Sequence, residues 1–139
     1  MSRSVIRPGI LLGMLLALGG CGRSDSVAMA DSGGESSSAR IEAGRKLFAR
    51  CASCHAVGAN AVNGFGPQLN GILGRKAGSA TGYSYSPAME ASSLVWDEET
   101  LIAFIRDSEK VIPGNKMRFM SFMSEKQARE IVMYLSTEE

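Results

Sequence analysis

The stretch RCASCHAV, residues 50 to 57, decides how this chain is to be read. The 139 residues contain only three cysteines and one histidine, and this segment holds Cys51, Cys54 and His55 within five positions. Four chemistries use a C-x-x-C pair. A disulfide oxidoreductase places it after a strand, at the start of a helix in a βαβ unit, whereas here it follows a helical pattern. A structural zinc site takes four ligands, and no second pair of Cys or His follows. A plain disulfide suits an exported protein but gives the adjoining histidine no task.

Covalent haem is the fourth reading, since C-x-x-C-H is the attachment pattern of c-type haem. Two thiols one helical turn apart can add to the two vinyl groups of a porphyrin, and the next residue then offers its imidazole to the iron. The cysteine count balances, with two thiols for haem and Cys21 left for another task. A thiol–disulfide protein without haem is the competing class.

Upstream, Arg3 and Arg7 precede the apolar run ILLGMLLALGG, which is too short to span a bilayer and reads as an export signal over residues 1 to 20. The run ends in LGGC, which resembles the lipobox of bacterial lipoproteins and makes Cys21 the expected lipid-bearing first residue after cleavage. Several acyl chains at about 0.8 kcal/mol per buried methylene would hold the protein on a membrane. Residues 21 to 39 are then a Ser/Gly-rich linker, with a reach of roughly 25 Å relaxed and about 60 Å extended.

The remaining residues, 40 to 139, form one expected domain. Setting Arg3, Arg7 and Arg23 aside from the 15 basic residues, and Asp25, Asp31 and Glu35 from the 14 acidic ones, leaves 12 against 11. That balance offers no basic footprint for nucleic acid.

The domain reads as all-α. Ile41, Gly44, Leu47, Phe48 and Cys51 recur at spacings of three or four, giving a first helix whose apolar edge runs into the cysteine segment. Ser86 and Pro87 look like the cap and first residue of a short helix, and Asp97 can cap one carrying Leu101, Ile102, Phe104 and Ile105. SEKQ at 124 to 127 predicts a reciprocal cap on a last helix with Ala128, Ile131, Val132 and Leu135 on one face. Residues 58 to 82 hold seven of the 16 glycines and predict loop. Three or four short helices bury little apolar area for such a domain, so a large flat apolar cofactor is expected to complete the core.

A six-coordinate iron would need a second ligand other than histidine. Of eight methionines, three precede the domain, and Met89 and Met133 fall in helical patterns that suggest packing. Met117, Met120 and Met123 lie in the irregular stretch IPGNKMRFMSFM, and spacing does not choose among them.

Across residues 40 to 139 the chain resembles the class I cytochromes c, especially the mitochondrial-like and bacterial cytochrome c2 group. GRKLFARCASCH, GPQLNGILGRKAG, GYSYSPAM, WDEETLIAFI, IPGNKM and AREIVMYL stand in that family's order. The resemblance implies a cytochrome c-like fold, with three to four helices and long loops around one covalent haem c. It implies His55 and Met117 as axial iron ligands and Pro67 as the carbonyl acceptor for the far imidazole nitrogen. It further implies that Arg75, Tyr85 and Trp96 hold a haem propionate, and that Gly44, Phe48 and Tyr134 join the first and last helices. The chain departs from the common pattern at Ser108, often proline, at Ser121, often glycine, and at Phe104, often tyrosine.

Filled axial positions argue for electron transfer rather than catalysis. Arg50, Lys110, Lys116 and Arg118 lie beside the cysteine motif or the methionine loop, where positive charge would steer an acidic partner. The expected protein is a monomeric, non-enzymatic one-electron carrier. It is lipid-anchored on the periplasmic side of a bacterial membrane and serves respiratory or photosynthetic partners such as an oxidase, a reductase complex or a reaction centre. The alternative is a haem peroxidase or ligand sensor in which Met117 dissociates.

Overall fold

The computed structural model describes residues 35 to 139. The expected signal over residues 1 to 20, the expected lipid site Cys21 and most of the expected linker lie outside the described residues. Five helices follow in order: α1 (Ser37–Phe48), α2 (Pro87–Glu90), α3 (Glu98–Arg106), α4 (Ser108–Val111) and α5 (Glu125–Leu135). Among the described residues there is no strand, only one isolated antiparallel bridge between Lys76 and Val95. The expected all-α class holds, with α4 as an addition.

Local signals start most of these helices where the sequence places them. Ser86 Oγ accepts from Met89 N at 3.2 Å with Pro87 at the first position of α2. Asp97 accepts from Thr100 N at 2.8 Å while the Thr100 hydroxyl takes the Asp97 N–H, closing a reciprocal cap on α3. Ser124 and Gln127 do the same for α5. Each pair satisfies backbone donors that the first helical turn leaves free, about 1 kcal/mol per cap. α1 differs from expectation at its start: Ser36 Oγ accepts from Ala39 N at 3.2 Å, so the helix begins at Ser37, inside the stretch read as linker.

α1 and α5 pack together, and α3 also packs on α5. At the crossing, a Cβ on Gly44 would collide with the carbonyl of Glu130 and lie 3.0 Å from Tyr134 Cβ. Only glycine lets these two backbones approach, which outweighs its cost of about 1 kcal/mol in a helix interior. Phe48 and Tyr134 close the same contact with ring centroids 5.5 Å apart. Ala128, Ile131, Val132 and Leu135 of α5 are all buried, as are Leu101, Ile102, Phe104 and Ile105 of α3. Arg129 reaches Glu99 at 2.9 Å and Glu125 at 3.3 Å along the α3–α5 surface, where exposure limits such pairs to a few tenths of a kcal/mol.

Among the described residues, no helix is long and apolar enough to cross a membrane. The long segment between α1 and α2 is held by hydrogen bonds rather than by regular structure. Asn70 Oδ1 accepts from Gly58 N, and its Nδ2 donates to Gly58 O, both at 2.8 Å. This segment and the inner faces of the helices surround one large cavity.

Candidate functional site

The cysteine segment continues the turn of α1. Cys51 N donates to Phe48 O at 2.7 Å, and the amides of Cys54 and His55 both donate to Cys51 O at 3.0 Å. Residues three and four apart on such a turn share one face, which is why Cys51, Cys54 and His55 all line the cavity. Both thiols are free, and Cys54 is the more exposed. Among the described residues no group of three or more His, Cys, Asp or Glu side chains is arranged to hold a metal ion. Burial pushes the Cys51 thiol up from its ordinary range, as expected for a group set among apolar side chains rather than poised as a redox thiolate.

The loop of residues 64 to 69 is pinned over this segment by Gly66 N donating to Cys54 O at 2.9 Å and Leu69 N to Ala56 O at 3.0 Å. The His55 ring lies against it, with Nδ1 2.8 Å from Pro67 O. A carbonyl only accepts, so Nδ1 carries the proton and Nε2 keeps its lone pair. Burial pushes the imidazole below its usual range, against a smaller upward effect of the Pro67 bond, and so favours the neutral form that ligates metal. Gly66 is a site residue that sequence reasoning did not single out. A Cβ there would run into the His55 ring, and the only signal was that it is the glycine of the Gly-Pro pair.

The cavity measures about 390 Å³, within the range of cofactor sites, and is mostly apolar. Phe48 comes from α1, Met89 from α2, Leu101 and Phe104 from α3 and Ile131 from α5. Trp96 is buried in its wall and packs against Phe104 with centroids 4.9 Å apart. Tyr85 and Arg75 also line it. The Arg75 guanidinium donates to Gln68 O at 2.9 Å and to Asn70 O at 3.0 Å, which fixes its head group at the cavity edge. The Tyr85 hydroxyl accepts from Ala80 N at 3.3 Å.

The three methionines of the irregular stretch separate cleanly in space. Met117 lines the cavity. Met120 is 78% exposed, and Met123, 5% exposed, packs in the hydrophobic core. Of the four cationic residues expected to ring the site, Arg50, Lys116 and Arg118 border the cavity, while Lys110 sits exposed on α4 away from its lining. Lys116 Nζ donates to Ser84 O at 3.0 Å, so its charge is held in place. Glu109 is turned onto the Gly114 N–H at 2.9 Å.

Two thiols, a neutral imidazole and a thioether thus converge on one apolar cavity, a donor set suited to a covalently attached porphyrin. The cytochrome c family model matches residues 41–139. The chain belongs to the cytochrome c family. Its domain is 46% identical over 95 residues to cytochrome c2 of Rhodoblastus acidophilus, covering 68% of this chain and 89% of that protein. It is 39% identical over 95 residues to cytochrome c of Cannabis sativa, covering 68% and 86%. Among solved structures, cytochrome cH from Methylobacterium extorquens superimposes with a TM-score of 0.65 at 41% identity, covering 70% of this chain and 97% of that one. The cytochrome is an electron carrier of the c2 type, with haem c bound covalently at the Cys51 and Cys54 spacing. The cofactor expected from the size of the core and the C-x-x-C-H segment is therefore the one its family carries.

Proposed function

We propose that this cytochrome is a one-electron shuttle with His55 and Met117 as axial iron ligands, tethered by a lipid on Cys21 to the periplasmic face of a bacterial membrane. The observation that carries the reading is the convergence of Cys51, Cys54, His55 and Met117 on one apolar cavity. Haem iron supplies a centre that gains or loses one electron. The chain's residues do the rest. Pro67 fixes the imidazole through Nδ1, the apolar walls keep water from the ring, and the soft sulfur of Met117 favours the reduced state. Arg75, Tyr85 and Trp96, which all line the cavity, would hold the propionates.

With His55 and Met117 both holding the iron, the protein would move electrons rather than act as an enzyme. The reduced holoprotein is expected to leave carbon monoxide unbound at neutral pH. Stoichiometric binding there, followed by the visible spectrum, would favour the alternative in which Met117 dissociates to give a peroxidase or ligand sensor.

Partners are redox proteins of the oxidase, reductase or reaction-centre kind, met by a monomer. Arg50, Lys116 and Arg118 border the cavity and are exposed, so they would steer an acidic docking surface. The second-order rate with a membrane fraction from the same source is expected to fall severalfold as salt rises from low to physiological strength. A rate indifferent to salt sinks the steering role. The tether has a separate check: Cys21→Ser should move the haem protein from the membrane pellet to the soluble fraction, and retention of the variant on membranes refutes a lipid at that residue.

A further inference from the structure

Both backbone polar groups of Met117 are held by side chains. Asn115 Oδ1 accepts from the Met117 N–H at 2.8 Å, and Ser108 Oγ donates to the Met117 carbonyl at 3.1 Å. The two side chains are buried, Asn115 at 1% exposure and Ser108 at 8%. Asn115 is itself anchored, with Nδ2 donating to Ile112 O at 2.9 Å and lying 3.5 Å from Glu109 Oε2. Ser108 opens α4, a position where proline is common in helices but would bring no donor.

Beyond Met117 the hydrogen-bond restraint thins out. Among the described residues, 117 to 123 make no backbone-to-backbone hydrogen bond, and the side-chain bond that follows is the local one from Met123 N to Ser121 Oγ at 3.2 Å. Arg118, Met120 and Phe122 are exposed. Hydrogen bonds therefore fasten the loop up to the methionine, and after it the packing of Phe119 and Met123 holds the chain.

We propose that Ser108 and Asn115 are positioning residues that clamp the backbone of Met117 and set how fast its thioether yields to a competing ligand. The proposal rests on Met117 being an axial ligand. For the sulfur to leave, the backbone of residue 117 must swing outward with the segment that follows it. A swing large enough to open the iron strips a partner from a buried hydroxyl or amide, where replacement by water is poor. Losing the Ser108 donor leaves only the Asn115 half of the clamp.

The test uses ferric holoprotein and imidazole as the competing ligand, mixed rapidly and followed by absorbance. Ser108→Ala is expected to take up imidazole about tenfold faster than wild type, the effect of one ordinary hydrogen bond. Ser108→Thr, which keeps the hydroxyl, should return to within about twofold of wild type. The denaturant midpoint of Ser108→Ala should fall by no more than that one hydrogen bond is worth, with the transition still cooperative, because α4 keeps its cap at Asp107. An uptake rate for Ser108→Ala within about twofold of wild type, or equal acceleration by alanine and threonine, overturns the clamp. Should wild type lack a sulfur-to-iron charge-transfer band, or Met117→Ala retain one, the ligand assignment fails and takes the clamp with it. With that band present and dependent on Met117, the imidazole rates judge the clamp alone.

Discussion

A Cys51→Ala, Cys54→Ala double variant, matured alongside wild type, is expected to emerge without covalent haem and without a stable fold. The walls of the cavity are part of the hydrophobic core: Phe48, Trp96, Leu101, Phe104, Ile131 and Leu135 all line it. Leaving such side chains against water instead of a buried ring forfeits about 2 kcal/mol each, so four of them remove about 8 kcal/mol. A domain of this size has a net stability of about 5–15 kcal/mol, which makes that loss comparable with the whole margin. Mass spectrometry should show the bare polypeptide, a pyridine haemochrome assay should show no haem, and circular dichroism should show little cooperative melting. A double variant that melts near the wild-type temperature would mean the protein closes its own core and the cavity is not a haem site.

Met117→Ala should fold and keep its covalent haem, yet its reduction potential is expected to fall on the order of 0.2 V, a fraction of the roughly 0.8 V that axial ligands command. Removing the thioether takes away the soft donor that stabilises ferrous iron and leaves an open position where water favours the ferric state. The same variant should bind carbon monoxide when reduced. Its stability should drop by only about 1–3 kcal/mol, because Met117 is half-buried rather than central to the core. Redox titration followed by absorbance checks this directly. A shift below about 60 mV, one tenfold step for a single electron, would move the ligand role to another residue.

The parts of this architecture that were legible in the sequence are those governed by contacts within one turn. The caps at Ser86, Asp97 and Ser124 are local hydrogen bonds, and each helix start fell where its cap stands. The apolar face of α5 was legible because its period matches the helix. The meeting of the first and last helices at Gly44 was implied by family likeness, not by spacing, and its partner Glu130 was not named. α4 was missed because SEKV is a single turn with no apolar stripe, and α1 begins early because Ser36, amid serines that read as linker, acts as a cap. The cysteine and histidine cluster was legible because its chemistry is contiguous. The choice among Met117, Met120 and Met123 was not, since it depends on which side chain the loop turns toward the cavity and which it leaves in solvent. The hold of Ser108 on Met117 spans nine residues of irregular chain, a distance over which no periodic pattern carries information.

The seam where Gly44 meets Glu130 also governs how the molecule breathes. α1 and α5, the first and last helices among the described residues, touch there backbone to backbone, with the Phe48 and Tyr134 rings beside the contact. Neither helix can peel away by itself without uncovering its partner's apolar face, so amide protons in both become accessible to solvent in a single shared opening rather than by gradual fraying from either tip.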